Sequence, residues 1–467
     1  MPKNKQNKGK QSIAYEDLVP FAERIAQGKK LRETTARKEQ GIWKVPARRR
    51  DSIEILKESN QDRIPDLVPL RIGRMLKSPF TFFRGSASLM ASDLSSTPVS
   101  SIQTQICGDC HLLNFGGYAS PERALVFDIN DFDETVRGPW EWDLKRLVTS
   151  FILAGRERSF KSSVAKEIAK ECAVAYCEAI REFAQMRVLE VWYTKFDAAK
   201  FIEGIKDKEM RSFAVDQYKR LKANTIADYY FPKMTTVENG KHVFKDNPPL
   251  VYHNQEYSDK EFLNQIKESF DHYRSTLNED RQTLLERFKF RDLAMKVVGI
   301  GSVGTYCSIM LLMAADDDPL ILQIKEARKS VLEPFVGDQG YHNQGHRVVR
   351  GQRLMQATSD IFLGWSKGPR GRHFYVRQLR DMKISPIPEV WSATRAFEVA
   401  RIWGWILARA HARSGDAALI SGYVGGGEAF GDAIANFGAA YADQTERDYG
   451  ALIHAVKTKR LEAIVER

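Results

Sequence analysis

Apolar positions recur along this chain with two different spacings. Helical spacing runs through residues 51–95 and 140–290, most clearly from Trp140 to Arg158 and from Lys166 to Met186, and a polar, proline-containing stretch near 232–250 interrupts it. The aromatic run Phe80 to Phe83, closed by Arg84-Gly85, reads as core. Between 100 and 135 the pattern breaks into short apolar runs separated by Gly, Asn and Asp, the composition of loops that carry chemistry. Residues 291–385 read as strands: Tyr306 to Met313, Leu320 to Ile324, Ile361 to Trp365 and His373 to Leu379 are rich in β-branched, aromatic and aliphatic residues. Helical spacing resumes near 390, and no internal repeat is present. The pattern predicts an α+β fold with a mainly β lobe packed on helices from both sides of it in sequence.

At 467 residues and 43% apolar content the chain can build large cores in two or three lobes. Its longest apolar candidate, Ser308 to Ala315, is far too short to span a membrane, so no membrane partner is expected. The basic, polar start carries no apolar stretch of the secretory type, and the expected compartment is the cytoplasm. Five cysteines, an odd number, fit reduced thiols better than a disulfide framework. Residues 1–50 hold 14 Lys/Arg against 5 Asp/Glu, net +9, leaving +2 of the formal +11 for all the rest. Basicity thus belongs to an N-terminal arm read as a solvated tail, the one place where nucleic acid is a conceivable partner.

The densest chemical signal is Gly108-Asp109-Cys110-His111-Leu112-Leu113-Asn114, followed by Phe127-Asp128-Ile129-Asn130-Asp131-Phe132-Asp133-Glu134. Phosphoryl transfer needs a carboxylate to orient or deprotonate the acceptor hydroxyl, and further oxygen ligands for the magnesium that neutralises the phosphates. An Asp and an Asn on a tight loop, with an Asp ending an apolar strand, can supply them. These residues resemble the kinase-like phosphotransferases typified by aminoglycoside, choline and fructosamine kinases, whose catalytic loop reads Gly-Asp-x-His-x-x-Asn and whose metal loop begins Asp-Phe. The resemblance implies ATP and Mg2+ as cofactors, Asp109 as catalytic base, and Asn114 and Asp131 as metal ligands. Asp128 and Asp133 stand as rival or additional ligands, and Phe132 favours Asp131. His111 is expected to hydrogen-bond within the loop. Gly138-Pro139-Trp140-Glu141-Trp142-Asp143-Leu144 is similar to the helix start that follows the metal loop, which makes Asp143 a buttress of the catalytic loop.

Gly299-Ile300-Gly301-Ser302-Val303-Gly304 is weak alone, because G-x-G-x-x-G also opens Rossmann units, where Thr305 to Ala315 would be helical and Glu326 would meet a ribose. In the kinase reading Gly299, Gly301, Ser302 and Gly304 cover the phosphates and Lys325 reaches them from a following strand. The β-leaning composition and the turn Asp316-Asp317-Asp318-Pro319 favour the second reading. Glu333 is the nearest acid that could pair with Lys325, though Pro334 after it disfavours a helix there. Phe374 to Leu379 is expected to lead into a hinge that meets the adenine. Gly404 to His411 is similar to the end of the helix that precedes the catalytic loop in these kinases, yet here it comes last.

The resemblance therefore implies a protein-kinase-like two-lobed fold in circularly permuted order. Its parts are a basic arm (1–50), a helical large lobe with the catalytic and metal loops (51–290), a β-rich nucleotide-binding small lobe (291–385) and a helical completion of the large lobe (386–467). Phrases such as GDCHLLNFG, FDINDFDE, GPWEWDLKRL and GQRLMQATSDIFLGW also resemble a bacterial family catalogued as domain of unknown function 2252. The expected activity is an ATP- and magnesium-dependent phosphotransferase acting on a hydroxyl of a small molecule or protein. Alternatives are a nucleotide-binding pseudokinase or scaffold, and nucleotidyl transfer on the same fold. Cys107-Gly108-Asp109-Cys110-His111 also matches a haem-attachment motif and half a zinc site, but no second C-x-x-C accompanies it.

Overall fold

The computed structural model describes residues 18–203, 211, 212, 215, 216, 218, 219, 226–254, 259–315, 318–379 and 384–466. Helix makes up about 54% of it, and the strands form several antiparallel sheets, so the fold is mixed α+β.

The helical body is assembled from both ends of the chain. Its first part comprises α1 (Phe21–Lys30), α2 (Ser52–Ser59), α3 (Val68–Met75), α4 (Pro79–Gly85), α5 (Ala87–Leu94), α6 (Trp140–Glu157) and α7 (Ser162–Gln185). Asp51 starts α2 by accepting from the amides of Ile53 and Glu54, and Ser78 with Pro79 starts α4 in the same way through the Thr81 amide. Helix α6 is buried almost all round, as a central helix must be. Its polar residues Asp143, Arg146 and Ser150 each bond partners in the loop at 107–112, which ties that loop to the core.

Two helices from the far end of the described chain complete this body: α9 (Ala393–Ser414) and α11 (Glu428–Lys457), with α8 (Gln344–Met355) and α10 (Ala417–Val424) beside them. A Cβ at Gly404 would lie 2.3 Å from the Cys172 carbonyl, so glycine alone lets α9 lie this close to α7. At the end of α9, Ser414 Oγ donates to the Gln105 carbonyl at 3.3 Å, and Gly415 sits against Thr104. The helix thus finishes beside the strand that leads into the loop at 107–114.

Four short strands, β1 (Gln103–Ile106), β2 (Phe115–Ala119), β3 (Leu125–Ile129) and β4 (Val136–Pro139), frame that loop; β1 pairs with β4, and β3 pairs with both β2 and β5 (Phe196–Asp197) in the order β2-β3-β5. A hairpin, β6 (Thr235–Glu238) and β7 (Lys241–Phe244), occupies the proline-containing stretch. The remaining strands, β8 (Val251–Tyr252), β9 (Lys289–Lys296), β10 (Cys307–Ala315), β11 (Asp318–Glu326), β12 (Gly364–Lys367) and β13 (His373–Gln378), form one sheet in the order β12-β13-β11-β10-β9-β8. Every pairing in it is antiparallel. Strand β10 reads as a continuous apolar run because both of its faces are covered: Met310 and Leu312 enter one core cluster and Ile309, Leu311 and Met313 another.

The antiparallel sheet overturns the Rossmann alternative, since the chain leaves the glycine loop as strand β10 and returns antiparallel to β9. The strand-only reading of 291–385 is corrected too. Helix α8 lies inside that range, its polar residues Gln344 and Arg347 having masked the apolar Val348, Val349 and Met355. Strand β12 begins at Gly364, after a turn over 361–362, and β8 joins the sheet from far upstream. Asp316 and Asp317 of the expected turn lie outside the described residues, and Asp318 and Pro319 already belong to β11. The arm is folded from residue 18 onward. Arg32 and Arg37 donate to carbonyls at the end of α10, and half-buried Arg49 pairs with Asp93 at 2.8 Å and Asp448 at 2.6 Å. Lys3, Lys5, Lys8 and Lys10 lie outside the described residues. Among the described residues no helix is long and apolar enough to cross a membrane.

Candidate active site

The loop after β1 is held from beneath. Gly108 adopts φ +79°, where a Cβ would collide with the Glu134 carbonyl at 2.5 Å, so the turn requires glycine. The Asp143 carboxylate accepts the amides of Cys107 at 2.8 Å and Gly108 at 2.9 Å. His411 Nε2, at the end of α9, lies 3.4 Å from the same carboxylate, and its Nδ1 meets the Tyr176 hydroxyl at 2.8 Å. Asp109, next along the loop, turns its carboxylate toward Arg146, whose Nε donates at 2.6 Å. Burial pushes the Asp109 carboxyl above its usual range, against the pull of Arg146. Asn114 Nδ2 donates to the Asp109 carbonyl at 2.6 Å, which leaves its amide oxygen as the atom available to a cation.

The three aspartates that the sequence leaves as rivals, with Asp131 favoured, separate cleanly. Asp128, in β3, is buried and sealed: it accepts from the amides of Ile129 and Ala357, each at 2.8 Å, and pairs with buried Arg409. With its oxygens so occupied and no exposure to the cavity, Asp128 is corrected from a rival metal ligand to an internal counter-ion. Phe132 sits in the core, while Asp131 and Asp133 on either side of it stay partly exposed, 30% and 28% at the side chain. Lys325 Nζ lies 2.8 Å from Asp133 Oδ2 and 3.8 Å from Asp131 Oδ1. The Tyr375 hydroxyl donates to Asp133 Oδ1 at 2.6 Å, as its register opposite Lys325 on β13 allows, and Ser302 Oγ reaches Oδ2 at 3.2 Å. Although burial opposes it, the charge and hydrogen bond of Lys325 hold the Asp133 carboxyl below its usual range. The same acids raise the Lys325 ammonium despite its burial, so the lysine stays charged.

The glycine loop between β9 and β10 is pinned at its ends and open at its middle. Ile300 packs into the core beside Phe82, and the Gly304 carbonyl accepts from the Ile64 amide at 2.7 Å. A Cβ at Gly299 or Gly301 would meet nothing within 4 Å, so the backbone there faces open space. Beneath it lies a cavity of about 840 Å³, toward the upper end of the range for small-molecule sites. Asp109, His111, Asn114, Asp131, Asp133, Gly299, Gly301, Ser302 and Lys325 all line it; Asp128, Asp143 and Gly304 do not.

Other expectations change. Glu333 faces Lys329 at 3.9 Å and not Lys325, whose counter-charges are Asp133 and Asp131. His111 Nδ1 is buried without a partner among the described residues, while backbone bonds close the loop (His111 amide to Asp109 carbonyl, 2.9 Å). Burial beside Arg84 and Arg146 holds its ring neutral. All five cysteines are free and buried. Cys107 and Cys110 cluster with Asp143, yet burial keeps both thiols protonated and the Asp143 oxygens are spent on backbone amides, which does not suit a metal. Residues 380–383, next to the expected hinge, lie outside the described residues. Sequence reasoning missed Arg63, Arg71, Arg146, Arg328 and Tyr375: each is a lone residue in a helical, loop or strand pattern, and only tertiary contact gives it meaning.

The chain belongs to the family described as "Uncharacterized protein conserved in bacteria (DUF2252)", which matches it over residues 63–455. No curated protein and no solved structure matches it.

Proposed function

We propose that the chain binds a nucleoside triphosphate with magnesium and transfers the terminal phosphoryl group to a hydroxyl. The observation that carries this reading is the convergence, in one cavity under an open glycine loop, of Lys325 with Asp133, 192 residues away in sequence, and with Asp131. The order glycine loop, β10, lysine strand β11, helix α8, β12, β13 supports a small lobe of the kinase-like type. The end of α9 beside β1 supports the permutation, because it lies where the catalytic loop begins.

The donor set fits magnesium: Asp131, Asp133 and the Asn114 amide oxygen are all hard oxygen ligands bordering the cavity. A bound Mg2+ would neutralise charge on the phosphates. Lys325 is placed to trade its contact with Asp133 for a phosphate oxygen. Asp109 orients the acceptor hydroxyl and takes its proton as that oxygen bonds to the terminal phosphorus. The bond from phosphorus to the bridging oxygen breaks, and the nucleoside diphosphate leaves with the electron pair. Arg146 fixes the Asp109 carboxylate, and Asp143 with His411 fixes the loop that carries it.

Incubation with γ-labelled and α-labelled ATP plus magnesium tests the reading. The γ label should move to an acceptor or be released as phosphate, and Asp131→Ala should abolish the transfer. Movement of the α label would establish nucleotidyl transfer instead, and saturable binding without movement of either label would establish a binding protein.

A further inference from the structure

Part of the cavity is walled by arginines that lack the counter-ions found elsewhere in the molecule. Arg71 is only 2% exposed; it donates to Asn60 Oδ1 at 2.6 Å and to the Gly85 carbonyl at 2.5 Å, and its Nε has no partner. Arg63 donates to the carbonyls of Ser59 at 3.1 Å and Val303 at 2.6 Å, and Arg328 to that of Gln61 at 2.6 Å. Arg84, which precedes Gly85, has a buried Nε without a partner. Among the described residues none of these four pairs with a carboxylate, whereas Arg49, Arg146 and Arg409 each do. All four line the cavity. Burial and the neighbouring cations push Arg71 well below its usual range and Arg63 down to about 10. Arg71 is thus a buried cation with no anion of its own, while Arg63, Arg84 and Arg328 are half-buried at the cavity wall; a cation held out of water without an anion is costly, and the carbonyls it holds offset only part of that cost.

The group adjoins the catalytic loop. Arg146, the partner of Asp109, also donates to the Phe83 carbonyl at 2.9 Å, so the end of α4, Phe83 to Gly85, links Asp109 on one side to Arg71 on the other. The triphosphate has its own partners in Lys325, the acids that hold magnesium, and the open backbone at Gly299 and Gly301. We infer, on the phosphotransferase reading, that Arg63, Arg71, Arg84 and Arg328 seat an anionic group of the acceptor, so that the substrate is a small hydroxyl compound bearing a phosphate monoester or a carboxylate. Guanidinium forks match both groups in shape, and the same charges repel an amino-alcohol or amino-sugar acceptor.

The test is calorimetric titration of the full chain, with magnesium and a non-hydrolysable ATP analogue present, using three probes with the same carbon skeleton: glycerol 3-phosphate, glycerate and glycerol. The anions should bind about tenfold or more tightly than glycerol, the effect of one charge-assisted hydrogen bond, and a tighter phosphate than carboxylate would identify the phosphate monoester as the preferred group. Arg84→Gln and Arg328→Gln should each lose most of that preference, with analogue affinity within about twofold and an unchanged circular dichroism spectrum; Arg84→Lys should keep part of it. Equal binding of all three probes would overturn the inference. So would variants that weaken the analogue and leave the anions alone, because the arginines would then belong to the triphosphate while the phosphotransferase reading stood. Failure of the wild type to bind the analogue at all would overturn that reading and the acceptor assignment with it.

Discussion

Asp128 and Asp133 lie on either side of the end of one strand, and each faces a cation from far along the chain, yet they belong to different kinds of place. At Asp128 both members of the ion pair are 1% exposed, and the remaining oxygen sites are filled by backbone amides that cannot move away. At Asp133 the side chain is 28% exposed, and its partners are the side chains of Lys325, Ser302 and Tyr375, carried on three separate elements at the edge of the cavity. A pair closed by main chain is architecture. One closed by side chains that border open space can exchange partners with a ligand.

The largest effect that would sharpen this contrast is on folding. Asp128→Asn should destabilise the protein by about 3–5 kcal/mol in urea unfolding, because Arg409 is left buried without its counter-charge. A cost near that of a surface substitution would erase the distinction. Next comes binding: in a double-mutant cycle on magnesium-ATP affinity, Lys325→Met and Asp133→Asn should couple by about 1 kcal/mol or more, since they share a ligand. Additivity, with both variants folded, would mean that the two residues do not meet at one nucleotide. The smallest effect concerns acid stability. With its folded pKa lowered, Asp133 contributes stability that is present above the ordinary carboxylate pKa and is lost as pH falls through the lowered value. Tyr375→Phe removes a hydrogen bond to the charged form and should move that loss to higher pH. An unfolding profile against pH identical to wild type would show that the hydroxyl does not support Asp133.

Much of the helical body was legible, since α6 and α7 announce themselves through long apolar spacing, and β10, β11 and β13 through dense aliphatic and aromatic runs. The loop around Asp109 was legible because Gly, Asn and Asp break up the apolar runs there. What stayed hidden was whatever depends on contact between distant segments. Asp128, Asp131 and Asp133 look alike in sequence, and only the burial of Phe132 and the arrival of Arg409 sort them. Helix α8 was read through because its buried face carries Gln344 and Arg347, polar groups that find partners only in the folded chain. Lys325 was identified, but the acid opposite it was sought nearby at Glu333 when it lay far upstream.

The late position of α9 has a consequence for how the protein comes into being. On the ribosome, Asp128 emerges 281 residues before Arg409, which at ordinary synthesis rates of about 5–20 residues per second is roughly 14 to 56 seconds. Through that interval Asp128 has no Arg409 and Asp143 no His411, and Cys172 and its neighbours on α7 lack the helix that covers them. Until α9 has been made, the two buried aspartates stand without these partners and the face of α7 that α9 covers stays open to water, so this part of the core can close only after residue 411 has left the ribosome.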